Sequence, residues 1–155
     1  MPAIAAAGGG FLLAVLWFDL MFDVQVRGHR APALPNPVLA SIRAYYRRVT
    51  TDASPMGVLV SLVMLLTVGV IVSEVVQARL VAWPCWLSLA AVLTAMGVAL
   101  GRTFRNARRL AQNADAAEVQ SRLARSIYRD HLICLGCMVV VVGLQIALSF
   151  GMHPV

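Results

Sequence analysis

The chain has 155 residues, of which 60% are hydrophobic and 13% charged, with a mean hydropathy of +0.79. Soluble domains lie nearer half apolar and a quarter charged, so this composition argues against a water-soluble globule and reads as an integral membrane protein. The net charge of +6 comes from arginine alone; arginines beside apolar spans serve topology and contact anionic lipid headgroups, and nucleic acid is not an expected partner.

Four stretches carry no Asp, Glu, Lys or Arg: 1–18, 53–73, 80–101 and 132–155. A helix needs about 20 apolar residues to cross a hydrocarbon core of ~30 Å, and three of the stretches meet that length outright. The first does so by continuing past Asp19 to about residue 22. Lipid leaves no partner for free backbone groups, so helical spans follow, at about 3–22, 55–76, 80–101 and 131–150. No basic residue precedes the first span, and its Ala and Gly residues come before the apolar core rather than after it. It therefore reads as a retained helix, not a cleaved signal peptide.

WFDLMFDVQ closes the first span and puts Asp19 and Asp23 four apart on one helix face. Two readings stand. The pair is solvated at the interface and neutralised by nearby arginines, or Asp19 faces the bundle interior as a ligand, general base or proton-relay member. The connection that follows, VQVRGHRAPALPNP, is punctuated by Pro and Gly and predicts little regular structure. Asn36 then caps a short helix over about 37–49 with Pro37 at its first position. Its apolar residues recur at helical spacing among Arg43, Arg47 and Arg48, as in a helix lying in the interface or packed under the bundle. Ser54 caps the second span, with Pro55 in its first turn. After the third span, helix-forming residues run to Asn113, and Asp115-x-x-Glu118 reads as a capping box for a fresh helix that continues into the fourth span. The third and fourth spans thus extend into an antiparallel helical hairpin turning at 113–115.

Twelve of the thirteen arginines lie in two connections, 19–52 and 102–130, while the remaining connection holds only Glu74 and Arg79. The positive-inside rule makes the arginine-rich loops cytoplasmic and both termini exterior, in the cell's inner (plasma) membrane. The expected fold is all-α: one domain, an integral membrane four-helix bundle with a cytoplasmic helical hairpin between spans three and four.

His131-x-x-Cys134-x-x-Cys137 opens the fourth span, the three side chains sharing an arc of one helix. A Cys-x-x-Cys at a helix start can activate a thiol, but this helix begins well before it. Zinc needs four ligands, and no second pair is present. Cys85 lies a membrane thickness away, beyond disulfide reach. Cysteines packed between helices are the favoured reading and a redox or metal role the other. No metal or cofactor is assigned; a metal, if held, would use Asp19, Asp23, His131 and Cys134. Depth matching brings Asp19, Asp23 and His131 to one membrane level, with Arg47, Arg48 or Asn106 closing the cluster. The candidate catalytic set is Asp19, Asp23, His131, Tyr46 and Asn106, with Tyr45 beside them. Gly97-x-x-x-Gly101 predicts close helix approach, and Gln145 a polar bond across helices.

The order of these features resembles the anthrone-oxygenase-like family of small four-span membrane proteins, over nearly the whole chain. The motifs are an acid closing the first span (Asp19 or Asp23), Tyr46-Arg47-Arg48 before the second, Asn106 with Arg108-Arg109-Leu110 after the third, and His131 opening the fourth. The better-known members oxidise polycyclic anthrones without an obvious cofactor, so the resemblance implies a buried site for a hydrophobic aromatic substrate. Two functions follow: a non-catalytic bundle that assembles with itself or with a larger membrane complex, which is the favoured reading, or a membrane-embedded oxygenase-like or redox enzyme acting at the polar cluster. A pocket holding Asp19 or Asp23 together with His131 discriminates in favour of the enzyme.

Overall fold

A computed structural model describes residues 1–52, 54–77 and 83–151. The described residues form helices and no strand. Six α-helices follow in order: α1 (Pro2–Asp23), α2 (Asn36–Arg47), α3 (Ser54–Gln77), α4 (Trp83–Val98), α5 (Phe104–Gln112) and α6 (Ala117–Ser149). A 3₁₀ turn, Val24–Val26, extends α1, and π-helical turns at Arg48–Asp52 and Ala99–Thr103 lead into α3 and α5. The start of the third span at residue 80, the Ser54 side chain and Arg79 lie outside the described residues.

Four helices are long and apolar enough to cross a membrane: Pro2–Val26, Pro55–Gln77, Trp83–Gln112 and Ala117–Ser149, with mean hydropathies from 1.7 to 2.5. At most 28% of any one apolar window is buried inside the protein, which suits a lipid solvent and not water. The four pack as a ring. α1 lies against α6 and α3, and α4 against α6 and α3, while the backbones of the diagonal pairs α1/α4 and α3/α6 do not come together. Ala5, Leu12, Ile71, Val92, Ala95, Met138 and Val141 fill the ring's interior.

The close helix approach falls at α1 and not at Gly97-x-x-x-Gly101. A methyl group on Gly8 would collide with Thr67 Oγ1, and one on Gly9 would stand 2.9 Å from Val142 Cγ2. Gly97 and Gly101 are exposed, with nothing within 4 Å of an added Cβ. Small residues permit contact only where another helix is present, and here they face outward. Gln145 does bond across helices, its Nε2 donating to Ser88 Oγ at 3.2 Å.

The α5–α6 hairpin turns at Asn113, whose φ of 54° is a left-handed conformation that Asn tolerates. The expected capping box does not form. α6 begins at Ala117 with Ala116 as cap and no side-chain cap bond, because Asp115 is instead held by Arg109 through two bonds of 2.8 Å. That guanidinium keeps the Asp115 carboxyl below its ordinary range. Gln120, buried, completes the turn by donating to Asn113 Oδ1 at 2.9 Å and to the Asp115 carbonyl at 2.8 Å.

α2 takes the second of its two expected positions and packs on the hairpin. Leu39, Ile42 and Tyr46 join Leu110, Ala124 and Ile127 in a second apolar core. Fully burying a side chain such as Ile42 contributes ~1.5–3 kcal/mol. The helix starts at Asn36, with Pro35 in the cap position, one residue earlier than the capping pattern implies. The Pro- and Gly-rich stretch before it is fixed from outside. Arg125 donates to the carbonyls of His29, Ala31 and Pro32, and the Leu34 N–H donates to Ser121 Oγ at 2.8 Å. These bonds tie the exit of α1 to α6 and set where α2 delivers its tyrosines.

Candidate functional site

Asp23 ends α1 and is fully buried. An unpaired carboxylate there would be costly, and both of its oxygens are occupied. Tyr46 Oη donates to Oδ1 at 2.7 Å, and His131 Nδ1 lies 2.6 Å from Oδ2. A carboxylate only accepts, so the imidazole proton sits on Nδ1 and Nε2 points away from Asp23. The group in front of Nε2 is Asp19, one turn earlier on α1, with Oδ2 at 3.8 Å. That is beyond hydrogen-bond reach. Asp19 is held from its other side by Tyr45, whose Oη donates to Oδ1 at 2.5 Å.

Adjacent tyrosines diverge by about 100° around a helix, while carboxylates four residues apart share one face. Crossing α2 near the end of α1 lets the two patterns mesh, Tyr45 on Asp19 and Tyr46 on Asp23. Phe22 stacks on the Tyr45 ring at 4.1 Å with an interplanar angle of 11°. Burial, and after it the neighbouring carboxylates, push both phenols well above their ordinary value. They remain hydrogen-bond donors across the physiological range.

The cluster borders a cavity of about 510 Å³ between the helices at the hairpin end, open on the side where Phe18, Leu65 and Leu100 are exposed. α1 and α4 do not meet, and the space left is bordered by Leu12 and Leu16, Val60 and Met64, Ala95, and Cys134 and Met138. Asp19, Tyr45, Tyr46 and His131 form its polar end. The Gly8–Thr67 approach and the packed core beyond it close the other end.

Of the candidate residues, Asp19, Asp23, Tyr46 and His131 come together, and Tyr45 belongs with them. Asn106 does not. Its Nδ2 donates to Ser126 Oγ at 3.5 Å, linking α5 to α6. Arg47 and Arg48 are exposed and do not close the cluster, a role the two tyrosines fill. Asp130, beside His131 in sequence, is engaged elsewhere: Arg102 pairs with it at 2.7 Å and Thr103 donates to it at 3.2 Å. The π-helical turn carries Thr103 to that position. Cys134 is buried in the ring with its thiol 3.6 Å from the Ala95 carbonyl, and Cys137 is half-buried. Asp19, Asp23, His131 and Cys134 are not arranged as a ligand group. Among the described residues no three His, Cys, Asp or Glu side chains are placed to hold a metal ion.

Compared with known proteins, the chain matches no family model, no curated protein and no solved structure.

Proposed function

We propose that this is a membrane-embedded protein that binds a hydrophobic molecule in the cavity of its bundle and moves a proton at that molecule's polar end. The observation that carries the reading is His131, which lines an apolar cavity with no hydrogen bond at Nε2 and Asp19 3.8 Å from it, while Nδ1 is fixed on buried Asp23. A base needs its second nitrogen oriented by a hydrogen-bonded carboxylate, which also stabilises the imidazolium that forms. In the proposed step a weakly acidic C–H or O–H of the ligand gives its proton to Nε2. Asp23 holds the Nδ1–H throughout, and Asp19 with Tyr45 receives the ligand's polar end. A cavity of this size takes a small hydrophobic molecule, in line with the aromatic substrate that resemblance to the anthrone-oxygenase-like family implies.

The setting belongs to the same proposal: an inner membrane, with the hairpin, α2 and their arginines on the cytoplasmic side and both termini outside. Its support is the arginine distribution, and anionic headgroups are the partners it suggests. A non-catalytic bundle assembling with itself or with a larger complex needs no cavity, and lipid alone accounts for the exposed apolar faces.

The test is Ala95→Phe, which adds a ring to a buried cavity wall. Protein extracted from native membranes with mild detergent is analysed by native mass spectrometry and organic extraction. The expected result is a hydrophobic aromatic compound retained by the unaltered protein and lost from the variant. Identical extracts from two folded proteins would refute the binding proposal.

A further inference from the structure

At the end of the bundle away from the hairpin, the ring encloses a second set of polar groups that the cavity does not use. Gln145 on α6 is fully buried. Its Nε2 is committed to Ser88 Oγ of α4, and its Oε1 has no partner. Both carboxyl oxygens of Glu74 on α3 are shielded from solvent and likewise lack a partner among the described residues. The Gln145 side chain lies beside the Glu74 carboxyl, near enough for a hydrogen bond between the two, although none is made in this arrangement. Because α3 and α6 are diagonal in the ring, only long side chains can meet across it.

None of these three shielded oxygens therefore makes a hydrogen bond among the described residues. A buried acceptor left unsatisfied costs ~1–3 kcal/mol, and an ionised carboxylate among apolar side chains costs more. One proton removes the conflict. It neutralises the acid, turns one carboxyl oxygen into an O–H donor, and gives the amide oxygen its partner. We infer that Glu74, Gln145 and Ser88 form a proton-binding site, in which Glu74 carries the proton and donates it to Gln145 Oε1. Among the described residues, the other titratable groups facing Glu74 are the Cys85 thiol on α4 and the α-amino group at the start of α1. No ion pair joins Glu74 to a described residue. If the Gln145 amide were turned the other way, its N–H would donate to an ionised Glu74, so the two arrangements differ in the charge on the acid. The site is independent of the His131 cavity and loads or releases one charge at the opposite end of the bundle.

Dicyclohexylcarbodiimide, an apolar reagent that modifies protonated carboxyls, tests this on the full-length protein in detergent and in native membranes. Between about pH 6 and about pH 9 an ordinary glutamate, with a pKa near ~4.3, stays ionised. The expected result is selective modification of Glu74, read by peptide mass spectrometry, with exposed Asp52 and Glu118 unmodified. Labelling should fall about tenfold per pH unit once pH passes the Glu74 titration. An acid protonated only in the folded state weakens folding as pH rises. Glu74→Gln, which keeps a neutral donor in place, should therefore match the unaltered protein in Tm at acid pH and exceed it at alkaline pH. Modification of Glu74 no greater than that of Glu118 overturns the site. A pH-independent Tm difference also overturns it. Protection by sodium at fixed pH would give the oxygens to a metal cation and overturn the proton assignment.

Discussion

Replacing Asp23 by Asn keeps the side chain's shape and removes the charge on which two donors converge. Asn Oδ1 still accepts from Tyr46, but the amide nitrogen then faces His131 Nδ1 across a gap now 2.6 Å wide. Two N–H groups cannot share that gap, so the imidazole must move its proton to Nε2 or swing away. A hydrogen bond to a charged group contributes ~1.5–3 kcal/mol. Residues in direct contact show coupling of that order in double-mutant cycles. The Asp23→Asn and His131→Gln cycle should therefore give about 1.5–3 kcal/mol of coupling. It is measured by unfolding in mixed micelles of mild and denaturing detergent, followed by tryptophan fluorescence. The equivalent cycle on Asp19 and His131 should give about 0.5 kcal/mol or less, because Nε2 carries no proton to donate and 3.8 Å is beyond hydrogen-bond reach. Additivity at Asp23, or equal coupling at the two acids, would refute the division of labour between them.

Gly8→Ala should cost about 1–3 kcal/mol in the same assay, from contact with Thr67 Oγ1, and Thr67→Ala should restore much of it. Gly97→Ala and Gly101→Ala should be neutral or stabilising by up to ~1 kcal/mol; the reverse ranking would show that helices approach at the second pair instead. Because Tyr45 and Tyr46 have raised pKa values, folded protein near pH ~10 should show no phenolate absorbance from them. The sign is destabilising at high pH: an unfolded phenol ionises there and a folded one does not, so stability falls as pH climbs past ~10. Unchanged phenolate absorbance after Tyr45→Phe with Tyr46→Phe is expected, and a drop would place both phenols in solvent. Reporter fusions after Ala33 and Asn113 should read as cytoplasmic and one after Gln77 as exterior; the opposite pattern would reverse the proposed orientation.

The spans were legible because uninterrupted apolar length is a one-dimensional property, visible without knowing what packs on what. The meeting of Asp19, Asp23 and His131 was legible for a related reason. Two helices that end and begin at one depth bring their terminal ionisable residues level. What escaped depends on contacts between segments far apart in the chain. Asp115 followed by Glu118 satisfies the local pattern of a capping box, but an arginine six residues earlier offers a two-bond pairing that the pattern does not contain. Gly97 and Gly101 have the right spacing for a helix contact, yet spacing does not say whether a partner lies on that face. The cavity has no sequence signature at all, since it is the space left where α1 and α4 fail to meet.

Tyr45 shows where the boundary falls. Read along α2, it is one of two adjacent aromatics of which a helix normally buries one, and Tyr46 is the more buried of the pair. Its place at the site follows from Arg125 fixing the carbonyls of His29, Ala31 and Pro32, which sets the path by which α2 returns beneath α1. The same path makes the two aspartates unequal. In sequence they are equivalent acids on one helical face. Once α2 is seated, Asp23 is sealed between Tyr46 and His131 and can only orient, while Asp19 keeps one oxygen toward His131 Nε2 at the cavity edge. Loss of the Arg125 clamp should thus disturb the cavity's polar end before it disturbs the spans, because the ring of four helices does not depend on those three bonds.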